Sequence, residues 1–304
     1  MLNKTLEAFK NRDLETLYAM VQPTFRVSNT RDDFTSVLML SCNNIKHLEK
    51  IDELEADCII LNLEDGVSKK DKPLALALCA IYLVKHKECS KKLVVRVNAL
   101  EEGGYNEINY LNQFMPDAIR VPKIKTKKEV ESVLALLNKE IELHLSIETA
   151  EAWHNLATLG VNRRVTTFYL GILDLLADLR LPQNLLKMNN PTINYILTHF
   201  LVSSRAMRVK AVSFVYQEFE KLDKFSKWIE FEKTLGYDAK ACISPAQVSL
   251  VNEIFSHSEF EIKRAKDIVK LFEMQRENGV TGFTHPEYGF IDEPIYKGAL
   301  SLLS

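Results

Sequence analysis

Short apolar runs, many with β-branched residues, recur along the chain between longer stretches of helical spacing. Eight of them stand at 36–41 (SVLMLS), 57–63 (DCIILNL), 93–98 (LVVRVN), 118–122 (AIRVP), 143–147 (LHLSI), 166–171 (TTFYLG), 209–214 (VKAVSF) and 240–244 (KACIS). Runs of this kind predict strands covered on both faces. The segments between them predict helices. Residues 43–54 have Asn44 as a candidate N-cap, and 127–138 carry apolar residues at helical spacing. Successive strand starts lie about 20 to 45 residues apart, and eight such units build an α/β TIM (β/α)8 barrel of roughly 250 residues. The alternative is an open doubly wound sheet. That fold usually carries a glycine-rich phosphate turn, and none of the ten glycines stands in GxGxxG or GxxxxGK(S/T).

The pattern divides the chain into an N-terminal helical extension over 1–34, the barrel over 35–250 and a C-terminal helical arm over 251–304. Within the arm, 258–277 predicts a capped amphipathic helix, with Ser258 at its start and Gly279 just past its end. Residues 280–294, with glycine, proline and aromatics, predict a loop, and 296–303 a last short helix.

Composition narrows the class. With 304 residues, 46% of them hydrophobic, the chain can bury a large core. A net charge of -2, from 39 basic and 41 acidic residues, excludes a nucleic-acid binder defined by bulk charge. The longest apolar run, 74–84, is far short of the roughly 20 residues of a membrane helix. The N-terminus lacks the apolar stretch of a signal peptide. Five cysteines without a CxxC pair predict free thiols and a cytoplasmic protein, with Cys58 inside a buried strand. No HExxH or other clustered histidine spacing points to zinc.

In this barrel the chemistry lies at the carboxyl ends of the strands. The runs end there in Asn62, Glu64 and Asp65, then Arg96 and Asn98, Lys123, Glu148 and Asp174. Two carboxylates at the tips of adjacent strands, Glu148 and Asp174, suit a magnesium ion, which takes few protein oxygens and keeps water. Equally, each could cap a following helix or pair with an arginine. Arg96, polar inside an apolar run, offers a bidentate fork for a keto-acid carboxylate. It could instead form an ion pair with Glu64 or Asp65. The run KKDK (69–72) is by default a solvated helix start.

At these residues the chain resembles the citrate lyase β-subunits of the HpcH/HpaI aldolase/citrate lyase superfamily, which also holds malyl-CoA lyases. The resemblance spans residues 35–299, and its motifs fall in order. LNLEDGV (61–67) is similar to the family's (D)LEDAV, VRVN (95–98) to its vRiN and VPK (121–123) to its lPK. SIET (146–149) is similar to iET, GILDL (171–175) to GxxDl, and GYDAKACISPAQ (236–247) to GfdGKxxIHPxQ. FIDEP followed by Gly298-Ala299 is similar to the C-terminal iDxPxxxxA.

The resemblance implies that Glu148 and Asp174 bind Mg2+, and that Arg96 binds and polarises a keto-acid. Glu64 and Asp65 would orient Arg96 and metal-bound water, and Asn98 and Lys123 would complete substrate binding. Asp292 would reach a neighbouring subunit's site and transfer a proton there, which implies a homo-oligomer built on trimers. The activity implied is magnesium-dependent carbon–carbon cleavage of a 3-hydroxy acid or its CoA thioester. Alternatives are thioester hydrolysis or free-acid cleavage at the same site, or a non-catalytic keto-acid-binding subunit. A Schiff-base route through Lys123 is chemically possible, but paired carboxylates already supply an electron sink through the metal. Departures from the family pattern are Asn62 for the first Asp of DLEDAV, Ser41-Cys42 for Pro-Gly, Thr35 and Leu76 for two arginines, and Ser244 for the His of IHP.

Overall fold

The computed structural model describes residues 2–23 and 34–303. Residues 24–33 of the expected N-terminal extension lie outside the described residues. Two compact units are present, Met1–Phe255 and Ser256–Ser304.

The first unit is the expected barrel. Its parallel strands are β1 Ser36–Ser41, β2 Cys58–Asn62, β3 Lys92–Arg96, β4 Ala118–Val121, β5 Glu142–Ile147, β6 Val165–Leu170, β7 Lys210–Val212 and β8 Lys240–Cys242. They pair in the order β7-β6-β5-β4-β3-β2-β1-β8. A parallel bridge between Ser213 and Lys240 closes the ring. Strands β2, β3 and β4 are buried at every residue, which explains their uninterrupted apolar sequence.

Alternation along each strand separates two layers. Val94, Ala118, Tyr169, Val212 and Ala241 pack with one another in the lumen. Val95, Ile119, Leu145 and Phe168 pack outward into the larger core beneath the helices. Those helices include Lys72–Lys85, Lys127–Leu136 and Pro191–Ala206. The helix at 127 is held by a capping box between Thr126 and Glu129. Asn44 caps its helix as expected, but that helix runs only over Ile45–Leu48, and a single 3-10 turn, Ile51–Glu53, replaces its second half.

In the second unit Ser258 caps the helix Glu259–Glu277 through a capping box with Glu261. The expected loop over 280–294 contains an antiparallel hairpin, β9 Gly282–His285 with β10 Gly289–Asp292. Phe283, Thr284, Phe290 and Ile291 supply strand propensity, and Gly289, at φ +72°, turns the chain. The last helix is Glu293–Leu303. Ile291, Tyr296 and Ala299 close a small core with Ala265, Ile268 and Phe272.

Among the described residues no helix is long and apolar enough to cross a membrane. None of the five cysteines is in a disulfide, and Cys58 is buried in β2.

Candidate active site at the carboxyl end of the barrel

Strand parity decides which side chains enter the mouth. Along β3, Val94 faces the lumen and Val95 the outer core, so Arg96 returns to the lumen. Along β4 the same count turns Ala118 and Arg120 inward. Arg96 and Arg120 are register partners, and Asn62 of β2 pairs with Arg96. Along β5, Leu145 and Ile147 pack outward, which leaves Ser146 and the residue just past the strand, Glu148, on the lumen side.

Arg96 is buried and clamped by acids. Its Nη2 pairs with Glu64 Oε2 and lies 3.1 Å from Asp65 Oδ2. Lys123 Nζ stands 3.8 Å from Glu64 Oε1. Glu64 is held by these ion pairs alone, with no further hydrogen-bond partner for either oxygen. Burial pushes the Glu64 carboxyl up to about 7, outweighing the guanidinium beside it. The turn after β2 is braced from two sides. Asn62 Nδ2 donates to the Asp65 carbonyl, and its Oδ1 accepts from Glu64 N–H. Lys72 Nζ donates to the carbonyls of Leu63 and Glu64 at 2.7 and 2.6 Å. Lys72 is therefore part of the scaffold beneath the site, and the 69–72 run is not the purely solvated helix start expected of it.

Glu148 is buried and positioned on both sides. Its Oε1 accepts the Lys123 N–H at 2.9 Å. Lys123 adopts φ +54°, a left-handed conformation uncommon for a residue with a side chain, at the turn that presents this N–H. On the other side Gly171 is packed against it. A Cβ there would stand 2.5 Å from Glu148 Cβ and 2.7 Å from its Oε2, so only glycine admits this approach. The cap of the next helix is Thr149, not Glu148. Asp174 lies exposed in the first turn of the helix Ile172–Asp178.

Glu148 and Asp174 together line two cavities. One, of about 300 Å³, also contains Asp65, Arg96 and Arg120. The other, of about 710 Å³, contains Lys123 and a further set of acids. Among the described residues no cluster of three or more His, Cys, Asp or Glu forms that could hold a metal. Magnesium does not require one, because it is commonly held through one or two carboxylates and keeps several waters. A buried carboxylate cradled against Gly171 and an exposed one in the same cavity, oxygen donors only, fit that ion.

Asn98 is placed differently from expectation. Its N–H and Nδ2 both donate to the buried Glu107 carboxylate, so the side chain ties down the loop after β3 and lines none of the cavities described. Asp292 ends β10 in the second unit, where Oδ1 accepts the Ile295 N–H at 3.2 Å and caps the last helix. Three residues of the site escaped sequence reasoning: Arg120, Glu107 and Gly171. Arg120 had a signal, an arginine inside an apolar strand run in the same manner as Arg96. Gly171 stood in the GILDL motif without a role assigned to it, and Glu107, which acts through contacts across the fold, had no signal.

The HpcH/HpaI aldolase/citrate lyase family model matches residues 35–245. A (3S)-malyl-CoA thioesterase from Cereibacter sphaeroides is 31% identical over 247 residues, 81% of this chain and 85% of that protein. Citrate lyase subunit beta from Leuconostoc mesenteroides is 26% identical, covering 79% of this chain and 82% of that protein. The crystal structure of CitE from Mycobacterium tuberculosis, in complex with magnesium, acetoacetate and coenzyme A, superposes with a TM-score of 0.69 at 18% identity. It covers 90% of this chain and 98% of that one. The ordered motifs, the barrel that carries them and the extent of these matches agree: the chain belongs to the HpcH/HpaI aldolase/citrate lyase family.

Proposed function

We propose that this protein is a magnesium-dependent carbon–carbon lyase acting on a 3-hydroxy acid or its CoA thioester. The observation that carries this reading is the pair Glu148 and Asp174 in one cavity with Arg96. A magnesium ion on the two carboxylates would stabilise the negative charge that develops on the substrate oxygen during retro-aldol or retro-Claisen cleavage. Arg96, its charge set by Glu64 and Asp65, holds the carboxylate that becomes the keto-acid. Lys123 contributes its N–H to Glu148 and its ammonium group to the rim, where it meets Glu64.

Proton transfer to the departing enolate carbon is assigned to the Asp292 carboxyl of a neighbouring copy, in a homo-oligomer built on trimers. Large exposed apolar side chains on the second unit support such docking: Phe260, Phe290, Ile295 and Leu300. The protein is read as cytoplasmic.

A second reading, thioester hydrolysis at the same site, is favoured by the identity to a malyl-CoA thioesterase. Free-acid cleavage also has support. The larger cavity is lined by Glu101, Glu102, Glu129, Glu151 and Asp178, which would repel the phosphates of CoA on that side.

The test is incubation of purified protein with malyl-CoA or citryl-CoA, with magnesium or with excess chelator. Lyase activity releases an oxo-acid and leaves the thioester count unchanged. Hydrolysis releases one free thiol per turnover and no oxo-acid. Oxo-acid formation that stops with chelator is expected. Thiol release alone would replace the first reading by the second, and no turnover on either thioester or on the free hydroxy acids would overturn both.

A further inference from the structure

Among the described residues, Arg120 is a buried cation of the mouth that no carboxylate pairs with directly, Glu148 and Glu64 acting on it only from beyond ion-pair distance. The residue is 5% exposed. Its Nε donates to Ser146 Oγ at 2.9 Å, and its guanidinium lies 4.1 Å from the centre of the Tyr169 ring. Tyr169 is held in turn by His144, whose Nδ1 stands 3.2 Å from the phenol oxygen. Ser146, Tyr169 and the neutral His144 ring bring no negative charge; burial holds that ring's pKa down to about 4. Among the described residues Arg120 makes no ion pair, and its Nη1 is buried without a hydrogen-bond partner. Its register partner Arg96 is the opposite case, with two carboxylates against it.

A guanidinium removed from water and left unpaired is costly, and an entering anion offsets that cost. Arg120 lines the 300 Å³ cavity together with Arg96, Glu148 and Asp174. That volume is about ten times the ~30 Å³ share of one water, room for a small acid and a hydrated ion. The planar fork of arginine matches a carboxylate. A phosphate, with more charge and bulk, would face Asp65, Glu148 and Asp174 in the same space.

We propose that Arg120 is a substrate-binding and specificity-determining residue, whose unpartnered Nη1 takes a second carboxylate of the substrate at the floor of the cavity. The site then selects acids with two carboxylates over acids with one. Ser146 and Tyr169 are positioning residues that hold the guanidinium through the Nε hydrogen bond and the ring contact. This inference rests on the lyase reading above, because it places the first carboxylate at the Glu148, Asp174 and Arg96 end.

The experiment is calorimetric titration of wild type, Arg120→Gln and Arg120→Lys with oxaloacetate and with pyruvate, in saturating magnesium. The two acids differ by one carboxylate. Wild type should prefer oxaloacetate. Arg120→Gln should weaken oxaloacetate by about tenfold or more, the scale of a lost charge-assisted hydrogen bond, and pyruvate by less than about twofold. Arg120→Lys keeps the charge and guards against a misfolded glutamine variant; its smaller loss should again fall on oxaloacetate alone. Equal weakening of both acids would mean that Arg120 supports the site as a whole rather than a second carboxylate, and would overturn the assignment. Unchanged binding of both acids would overturn it as well, while leaving the lyase reading intact. If wild type binds neither acid in magnesium, the lyase reading fails and the Arg120 assignment fails with it.

Discussion

The buried charges at the two ends of β3 and β5 are satisfied in different ways. At the amino end, Lys92 Nζ pairs with Glu142 Oε1 at 2.8 Å, His144 Nε2 stands 3.3 Å from Glu142 Oε2, and Thr166 donates to the same carboxylate. Asp57 accepts the N–H groups of Thr35 and Ser36, and Asp117 that of Leu93. At the carboxyl end, Glu64 Oε1 and Oε2, Arg96 Nε and Arg120 Nη1 are all buried without hydrogen-bond partners. The same strands supply both clusters, β3 giving Lys92 and Arg96, β5 giving Glu142 and leading into Glu148. Partnered charge fixes register and stabilises the ring. A buried polar atom left without a hydrogen-bond partner carries a desolvation cost that a ligand can relieve, and two of those at the carboxyl end belong to Arg96 and Arg120, which line the 300 Å³ cavity.

Variants at the two ends should therefore separate activity from stability. The largest effect is expected from Glu148→Gln or Asp174→Asn. Each should lower magnesium-dependent turnover by about a hundredfold or more with little change in Tm, since a catalytic metal's charge is lost with its ligand. Turnover equal to wild type in both variants would break the assignment of the functional end. At the other end, Glu142→Ala leaves Lys92 buried and unpaired and should cost about 3 kcal/mol in a denaturant titration. Its kcat per folded molecule should match wild type; a stable variant would show that the amino-end cluster contributes little.

Gly171→Ala sharpens the comparison within the mouth. The new methyl group cannot coexist with Glu148 as placed. The variant should fold with a loss of about 1–3 kcal/mol and bind magnesium more weakly. Wild-type magnesium affinity in this variant would contradict the cradle. The smallest effect concerns pH. Glu64 is raised in the folded state from 4.5 to about 7, so the folded protein holds a proton that the unfolded chain releases across that window. Metal-free wild type should lose stability relative to Glu64→Gln as pH rises from 4.5 to 7, and not beyond. Parallel pH–stability curves would refute the raised carboxyl.

Much of this was legible in the sequence because a parallel barrel writes itself as buried apolar runs at regular intervals. Chemistry sits at the ends of those runs, so Glu64, Arg96, Glu148 and Asp174 stand out by their places alone. The features that stay hidden depend on distance in space. Asn98 resembles a ligand because it ends a strand, but Glu107, on the following helix Gly104–Leu111, captures it. Arg120 lies inside a run that reads as apolar filling, although counting parity from Ala118 turns it into the lumen beside Arg96. The hairpin in the second unit is masked by its glycines, which resemble loop residues until pairing partners are known.

The most direct test of the central claim is calorimetric titration of oxaloacetate into wild type, Glu148→Gln and Asp174→Asn, each with magnesium and with chelator. The account predicts saturable binding to wild type that requires magnesium and is lost in both variants, while their melting curves stay close to wild type. Keto-acid binding of equal strength with chelator, or retained in both variants, would contradict it.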